Sequence, residues 1–347
     1  MPLADAQSYP LWLNALLFFA AAIVVWFAAA RLTRALDAIA DRTGMEQAFV
    51  GMLLLGGITS LPEVANVITA SAIGNPPLAI NNLLGSAAIN VLLLAVADAF
   101  IGRDAVTSVV AKPSTMMMGT LCMLVLVIVA AAITVGDVAL PAVGVGLGGV
   151  TITALAIASF WLAAGHDRRA AWAVAEPDQD EEAEDVRQDE SSSSLMLWTV
   201  TAISGAIIFV AGYILSQTGD AIATQTGLGS GIVGFALIGV ATSMPELSSI
   251  ITALRIRRYE MAFGQVLGTN FINLSLVLLA DGVFTGGPVL NELGPFEVVS
   301  ALLGAVLTGI YIVGLLERRD RTVFRMGYDS AAVMLVFAMG ISLLAGI

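Results

Sequence analysis

Cysteine and histidine are almost absent: the 347 residues hold one of each, Cys122 and His166, and a single lysine, Lys112. One thiol forms no intrachain disulfide, and one thiol with one imidazole builds no zinc cage, so any metal chemistry must use oxygen ligands. Charge is scarce as well. Only 12% of residues are charged and 58% are hydrophobic, against roughly a quarter charged in a soluble domain. Leu11 to Ala30, Pro113 to Gly136, Val138 to Gly165 and Leu195 to Gly219 run without one Asp, Glu, Lys or Arg. Each run is long enough for the roughly 20 residues that a helix needs to cross hydrocarbon. A secretory signal would carry its basic residues before the first run; Arg31 and Arg34 follow it, so it reads as a mature helix.

Counting such runs, and splitting longer ones at turn signals such as Gly74-Asn75-Pro76-Pro77, predicts ten spans centred near residues 21, 61, 88, 125, 152, 207, 242, 271, 306 and 338. The expected fold class is therefore an all-α integral membrane protein. With ten spans, all fifteen basic residues fall on connections of one face: Arg31, Arg34, Arg42, Arg103, Lys112, Arg168, Arg169, Arg187, Arg255, Arg257, Arg258, Arg318, Arg319, Arg321 and Arg325. The positive-inside rule makes that face cytoplasmic and both termini external, as expected for a multi-pass protein of the cell membrane. The connection 165–194 carries nine acidic residues between Glu176 and Glu190. It reads as a solvated cytoplasmic tether between a first unit, 1–164, and a second, 195–347. A regulatory Ca²⁺ site there is the sharper alternative, but the segment lacks the spaced ligands and turn glycine of an EF-hand loop.

Sliding the chain by 183 residues aligns Asp37 to Asp98 with Asp220 to Asp281 without a gap, and roughly two pairs in five are identical. Thr59-Ser60-Leu61-Pro62-Glu63 meets Thr242-Ser243-Met244-Pro245-Glu246, and Leu84-Gly85-Ser86 with Ile89-Asn90 meets Leu267-Gly268-Thr269 with Ile272-Asn273. Five spans separate equivalent positions. An odd number means that the copies enter the membrane from opposite sides, giving two inverted five-helix repeats with a midplane site between them.

Glu63 and Glu246 fall mid-span, where an ionised carboxylate is costly unless it faces a polar cavity or a cation. Pro62 and Pro245 precede them, and each proline deprives the carbonyl four residues earlier, at Ile58 and Ala241, of its helical donor. Thr59 and Glu63 are four residues apart, as are Ser86 and Asn90, so each pair projects from one helix face; Thr242 with Glu246 and Thr269 with Asn273 repeat this. Together with Ser60 and Ser243, four such faces offer carboxylate, amide and hydroxyl oxygens. That inventory suits Ca²⁺, which takes about six to eight oxygens in a flexible cage, better than Mg²⁺ with its strict octahedron. Asp98 and Asp281, at span ends, read as capping or mouth charges. Asn66 and Ser249 read as polar interhelical contacts, and Trp26, Trp161 and Trp198 as interfacial anchors.

At these residues the sequence resembles the calcium/cation antiporter superfamily, specifically the sodium/calcium exchanger membrane domain in its prokaryotic form. Its two alpha-repeats carry Gly-Thr-Ser-Leu-Pro-Glu and Gly-Ser-Asn-x-x-Asn. The resemblance implies that Glu63 and Glu246 are the central Ca²⁺ carboxylates and that Thr59, Ser60, Thr242, Ser243, Ser86, Asn90, Thr269 and Asn273 complete the Ca²⁺ and Na⁺ positions. There are departures: Ile58 and Ala241 replace the motif-opening glycine, Ala87 replaces the first Asn of Gly-Ser-Asn, and Asn82 and Gln265 stand before that motif, where the family usually has Gly-Asn. Asn273 stands where some members have Asp, which leaves two formal negative charges and weakens the case for K⁺ co-transport.

The function implied is secondary antiport of Ca²⁺ against Na⁺, by alternating access to one site. Ca²⁺/H⁺ exchange with the same glutamates as proton carriers stays open beside it. A cation channel is the remote alternative, since inverted halves converging on one buried site favour alternating access over an open row of sites. No nucleophile and base can be assembled among the intramembrane polar residues, so the chain is not expected to be an enzyme. The partners expected are inorganic cations and the bilayer, with no nucleic acid and no cofactor besides the transported ions.

Overall fold

The computed structural model describes residues 6–45, 49–101, 113–141, 144–164, 194–227, 235, 239–317, 322–323 and 326–347. The acidic stretch from Glu176 to Glu190, His166, and Arg103, Lys112, Arg168, Arg169, Arg187, Arg318, Arg319, Arg321 and Arg325 lie outside the described residues. The first half contributes α1 (Leu11–Thr43), a π-helical stretch Val50–Leu55 leading into α2 (Gly56–Thr59), then α3 (Leu61–Ala72), α4 (Pro76–Ile101), α5 (Pro113–Val135) and α6 (Leu147–Ala164). The second contributes α7 (Ser194–Thr226), α8 (Gly239–Thr242), α9 (Met244–Arg255), α10 (Tyr259–Ser275), α11 (Val277–Val283), α12 (Pro295–Glu317) and α13 (Tyr328–Leu344). A small antiparallel ladder of β1 (Thr322–Val323) and β2 (Met326–Gly327) precedes α13.

All ten centres predicted from the sequence fall on helical residues. Among the described residues six helices are long and apolar enough to cross a bilayer, and a seventh span arises if Val50–Thr59 and Leu61–Ala72, bent by 43°, count as one. The protein is thus a multi-pass, almost wholly helical membrane protein. The charge-free run from Val138 is not all helix. Its first residues form a turn, with the Leu140 N–H donating to the Val145 carbonyl and the Leu147 N–H to that of Val138. Gly144, at φ 74°, takes the left-handed conformation that this turn requires, so α6 begins only at Leu147.

Burial separates the helices by role. The window of α4 is 89% buried and that of α10 with α11 is 61% buried, whereas the windows of α1 and α7 are 28% and 33% buried. Helix α4 is buried along almost its whole length, its polar Asn81, Asn82, Ser86, Asn90 and Asp98 included. Helices α1 and α7, both 33 residues and therefore about 50 Å long, pack on one another through Ala21, Val25, Ala211 and Leu215. Left-handed glycines follow both, Gly44 at φ 66° and Gly227 at φ 76°. Trp161 and Trp198 face outward, whereas Trp26 packs partly buried against the core and its carbonyl accepts from Ser248.

Two glycines at equivalent repeat positions set how closely the central helices cross. A Cβ on Gly268 of α10 would stand 2.6 Å from the Met52 carbonyl oxygen of the π-helical stretch. One on Gly85 of α4 would collide with the backbone of Phe235, which is equivalent to Met52 under the 183-residue shift. Each repeat thus presses its broken helix onto the central helix of the other.

Candidate cation site

The sequence break at Thr-Ser-x-Pro-Glu becomes a break in the helix. Ser60 (φ −78°, ψ 0°) separates α2 from α3, and Ser243 (φ −84°, ψ 4°) separates α8 from α9. The proline that follows occupies the first turn of the new helix, where a missing N–H costs little. Glu63 and Glu246 therefore sit in the first turns of α3 and α9, at the positive end of each helix dipole. Both are fully buried, at 0% exposure.

The predicted polar side chains lie on or between the same broken helices and the central helices α4 and α10. Thr59, Ser60, Ser86, Asn90, Thr242, Ser243, Thr269 and Asn273 are all buried. Ser86 Oγ donates to Glu63 Oε1 at 3.2 Å and shares a 3.3 Å hydrogen bond with Thr242 Oγ1 of the other half. Thr242 Oγ1 also lies 3.2 Å from Asn82 Oδ1. The counterpart contact is present on the other side, where Gln265 Nε2 donates to Thr59 Oγ1 at 3.5 Å. Gln265 also donates to Ser249 Oγ, and Ser249 Oγ donates to the Glu246 carbonyl at 2.9 Å. The hydroxyls of Thr59 and Ser60 turn back onto their own helix, at 3.0 Å from the Leu55 carbonyl and 2.8 Å from that of Gly56.

What distinguishes this cluster is the number of oxygens without a hydrogen-bond partner. Glu63 Oε2, both oxygens of Glu246, Ser243 Oγ, Thr269 Oγ1, Gln265 Oε1, Asn90 Oδ1 and Asn273 Oδ1 are all buried and unpartnered. A buried acceptor without a partner costs about 1–3 kcal/mol, and native proteins hold few of them. Several on these helices, drawn from both halves of the chain, are of the oxygen type that Ca²⁺ collects, about six to eight at a time. Among the described residues no group of three His, Cys, Asp or Glu forms a metal cluster. Neutral oxygens must therefore supply most of any cation's ligand shell.

The predicted set omitted three side chains that the structure brings into the cluster: Asn82, Gln265 and Asn270. Spacing held the signal for two of them. Asn82, Ser86 and Asn90 follow at four-residue intervals, as do Gln265, Thr269 and Asn273, so each trio lines one helix face. Ser249, read as a polar interhelical contact, makes one: its Oγ accepts from Gln265 of α10 and donates to the Glu246 carbonyl. Asp98 and Asp281 stand away from the cluster: Asp98 Oδ2 accepts the Gly327 N–H at 2.7 Å, and Asp281 accepts the N–H groups of Val289 at 2.7 Å and of Gly146.

A buried set of acidic, amide and hydroxyl oxygens at the centre of a multi-pass helical protein defines a membrane transporter for inorganic cations. Residues 13–164 and 196–345 match the sodium/calcium exchanger protein family, and the chain belongs to that family. It is 26% identical over 267 residues to the inner membrane protein YrbG of Escherichia coli strain K12, covering 77% of this chain and 78% of that one. It is 31% identical over 88 residues, 25% of each chain, to the sodium/calcium exchanger MaX1 of Methanosarcina acetivorans. The fold matches that of the sodium-calcium exchanger NCX_Mj soaked with Na⁺ and Sr²⁺, at a TM-score of 0.67 and 18% identity over 96% of this chain and 99% of that one. Family and fold are those of cation antiporters, which are transporters and not enzymes.

Proposed function

We propose that the protein exchanges Ca²⁺ for Na⁺ by alternating access to one buried site centred on Glu63 and Glu246. Thr59, Ser60, Ser86, Asn90, Thr242, Ser243, Thr269 and Asn273 supply the remaining oxygens. In this reading ten spans form two inverted five-helix repeats, 1–164 and 195–347, joined by a cytoplasmic tether 165–194, with both termini external. The observation that carries it is the set of buried oxygens without partners, three of them carboxylate oxygens of Glu63 and Glu246. A full complement of such orphans would offset most of a domain's net stability of about 5–15 kcal/mol unless a cation recovers it. Relatives named as sodium/calcium exchangers support the choice of ions, as do the paired hydroxyls, which suit Na⁺ better than a proton that needs only a carboxylate.

The test is Ca²⁺ uptake into proteoliposomes, driven in turn by an outward Na⁺ gradient and by an outward H⁺ gradient. Uptake that follows Na⁺ is the expected result. Uptake that follows the pH gradient and ignores Na⁺ reassigns the counter-ion to H⁺ and leaves the site standing. Uptake that needs neither gradient overturns the antiporter reading.

A further inference from the structure

Under the 183-residue shift Ala87 and Asn270 are equivalent positions, and they touch: Asn270 Nδ2 donates to the Ala87 carbonyl at 3.2 Å. A residue in contact with its own counterpart lies on the axis relating the two repeats, where one side chain can serve both halves. The contact also fixes which way the Asn270 amide points. A backbone carbonyl only accepts, so the NH₂ group of Asn270 must face Ala87 and its Oδ1 must face away. That oxygen accepts from Asn90 Nδ2 at 3.0 Å, and the buried Cys122 thiol of α5 approaches the same side chain. The NH₂ group of Asn90 is thereby committed, so its Oδ1 is turned the other way. Asn90 Oδ1 is one of the buried oxygens without a partner.

The counterpart of Asn90 is treated differently. Asn273 would need a side-chain amide at position 87 to be held in the same manner, and position 87 is alanine. Both polar atoms of Asn273 lack partners. We propose that Asn270 is a positioning residue that locks the amide of Asn90 with its oxygen presented to the cation, while Asn273 remains rotatable and adapts its amide to the ion bound. The two halves of the site then differ in kind: one amide oxygen is set in advance, and the other is recruited. Presetting a ligand lowers the ordering cost of binding. Loss of the lock therefore raises the Ca²⁺ concentration needed for half-maximal transport about tenfold, with little change in the maximal rate.

The inference rests on the Ca²⁺ antiport reading for its transport arm alone. In full-length protein, Asn270→Ala is compared with Asn90→Ala, with the double variant, and with the exchange Ala87→Asn plus Asn270→Ala, which moves the lock to Asn273. The expected results are a raised KM for Ca²⁺ in Asn270→Ala, no additional effect of Asn270→Ala once Asn90 is alanine, and recovery of KM in the exchange. Independent losses that add in the double variant, or a fall in maximal rate with KM unchanged, overturn the proposal. A second arm does not depend on the ion transported. The side-chain NH₂ of Asn90, followed by NMR in ¹⁵N-asparagine-labelled protein, should be protected from hydrogen exchange in the parent and lose that protection in Asn270→Ala. Equal protection in both overturns the lock whatever the cargo. A parent that moves no Ca²⁺ while Asn90 protection follows Asn270 refutes the ion assignment and upholds the lock.

Discussion

Replacing Glu246 with Gln separates a binding carboxylate from a structural one, because the two roles predict opposite effects on stability. Neither oxygen of Glu246 has a hydrogen-bond partner, and the residue is wholly buried. Without a cation its charge is a liability to the fold. In the proposed Ca²⁺-bound site it would supply half of the formal charge that neutralises the ion, the other half coming from Glu63. Removing one member of a buried charged pair costs about 3–5 kcal/mol, which at 1.4 kcal/mol per factor of ten is roughly a hundredfold to several thousandfold in affinity. Glu246→Gln should thus abolish Ca²⁺ transport at concentrations where the parent saturates. The same substitution should leave the ion-free melting temperature unchanged or raised, and should remove the upward shift that Ca²⁺ gives the parent. The assay is thermal unfolding in detergent, with and without Ca²⁺, alongside uptake into proteoliposomes. Near-normal transport, or a Ca²⁺-induced stabilisation equal to that of the parent, would refute the assignment. Glu63→Gln should behave in the same way with a smaller gain in ion-free stability, because Glu63 Oε1 already accepts from Ser86.

Three further variants probe the hydroxyls and the packing. Ser60→Ala combined with Ser243→Ala should raise the Na⁺ concentration needed for half-maximal exchange more than the Ca²⁺ concentration, since Ca²⁺ keeps both charged ligands; equal shifts in the two ions would contradict a Na⁺ role for these hydroxyls. Gly268→Ala, whose Cβ would meet the Met52 backbone at 2.6 Å, should lose at least about 1–3 kcal/mol of stability. Gly57→Ala, whose Cβ meets only the tip of Ile272 at 3.9 Å, should be tolerated, and comparable melting curves for the two would show that the crossing is not tight.

The sequence exposed what the repeat wrote twice. Both Thr-Ser-x-Pro-Glu segments announced a lost helical hydrogen bond beside a buried carboxylate, because a mid-span proline and glutamate have few other physical uses. Features written once were harder to read. Gly74-Asn75-Pro76-Pro77 is an evident turn: Gly74 takes φ 81° and Asn75 Oδ1 caps the Leu78 N–H at 3.3 Å. Its counterpart, Arg257-Arg258-Tyr259-Glu260, has no turn residue, yet Arg257 adopts φ 57°. The turn is held from outside, by Arg258 at 2.7 Å from Asp37 Oδ1 and 2.7 Å from Asp41 Oδ2 of α1. Local propensity yields there to tertiary contact, which no reading of the segment alone reveals. The charge-free run from Val138 shows the same limit: absence of charge does not mark a helix start, which here follows Pro141, Gly144 and Gly146 and is held by the Asp137 carboxylate accepting from the Gly148 N–H at 2.6 Å.

The same distinction between repeated and single features bears on how the proposed site would serve two kinds of ion. In the proposed site charges recur at equivalent positions because both would be needed to neutralise a divalent cation, and a site shared by two repeats would receive one from each. The amides diverge, with Asn82 against Gln265 and Ala87 against Asn270; of these pairs Ala87 and Asn270 meet at the axis. Two asparagines meeting there would each need the other's carbonyl as well as its own amide neighbour. One asparagine facing one alanine resolves the conflict, and it leaves Asn90 oriented and Asn273 unconstrained. Divergence at the axis therefore follows from the geometry of the repeat, and under the proposed lock it would give the site one fixed and one adjustable neutral ligand, which two identical halves could not provide.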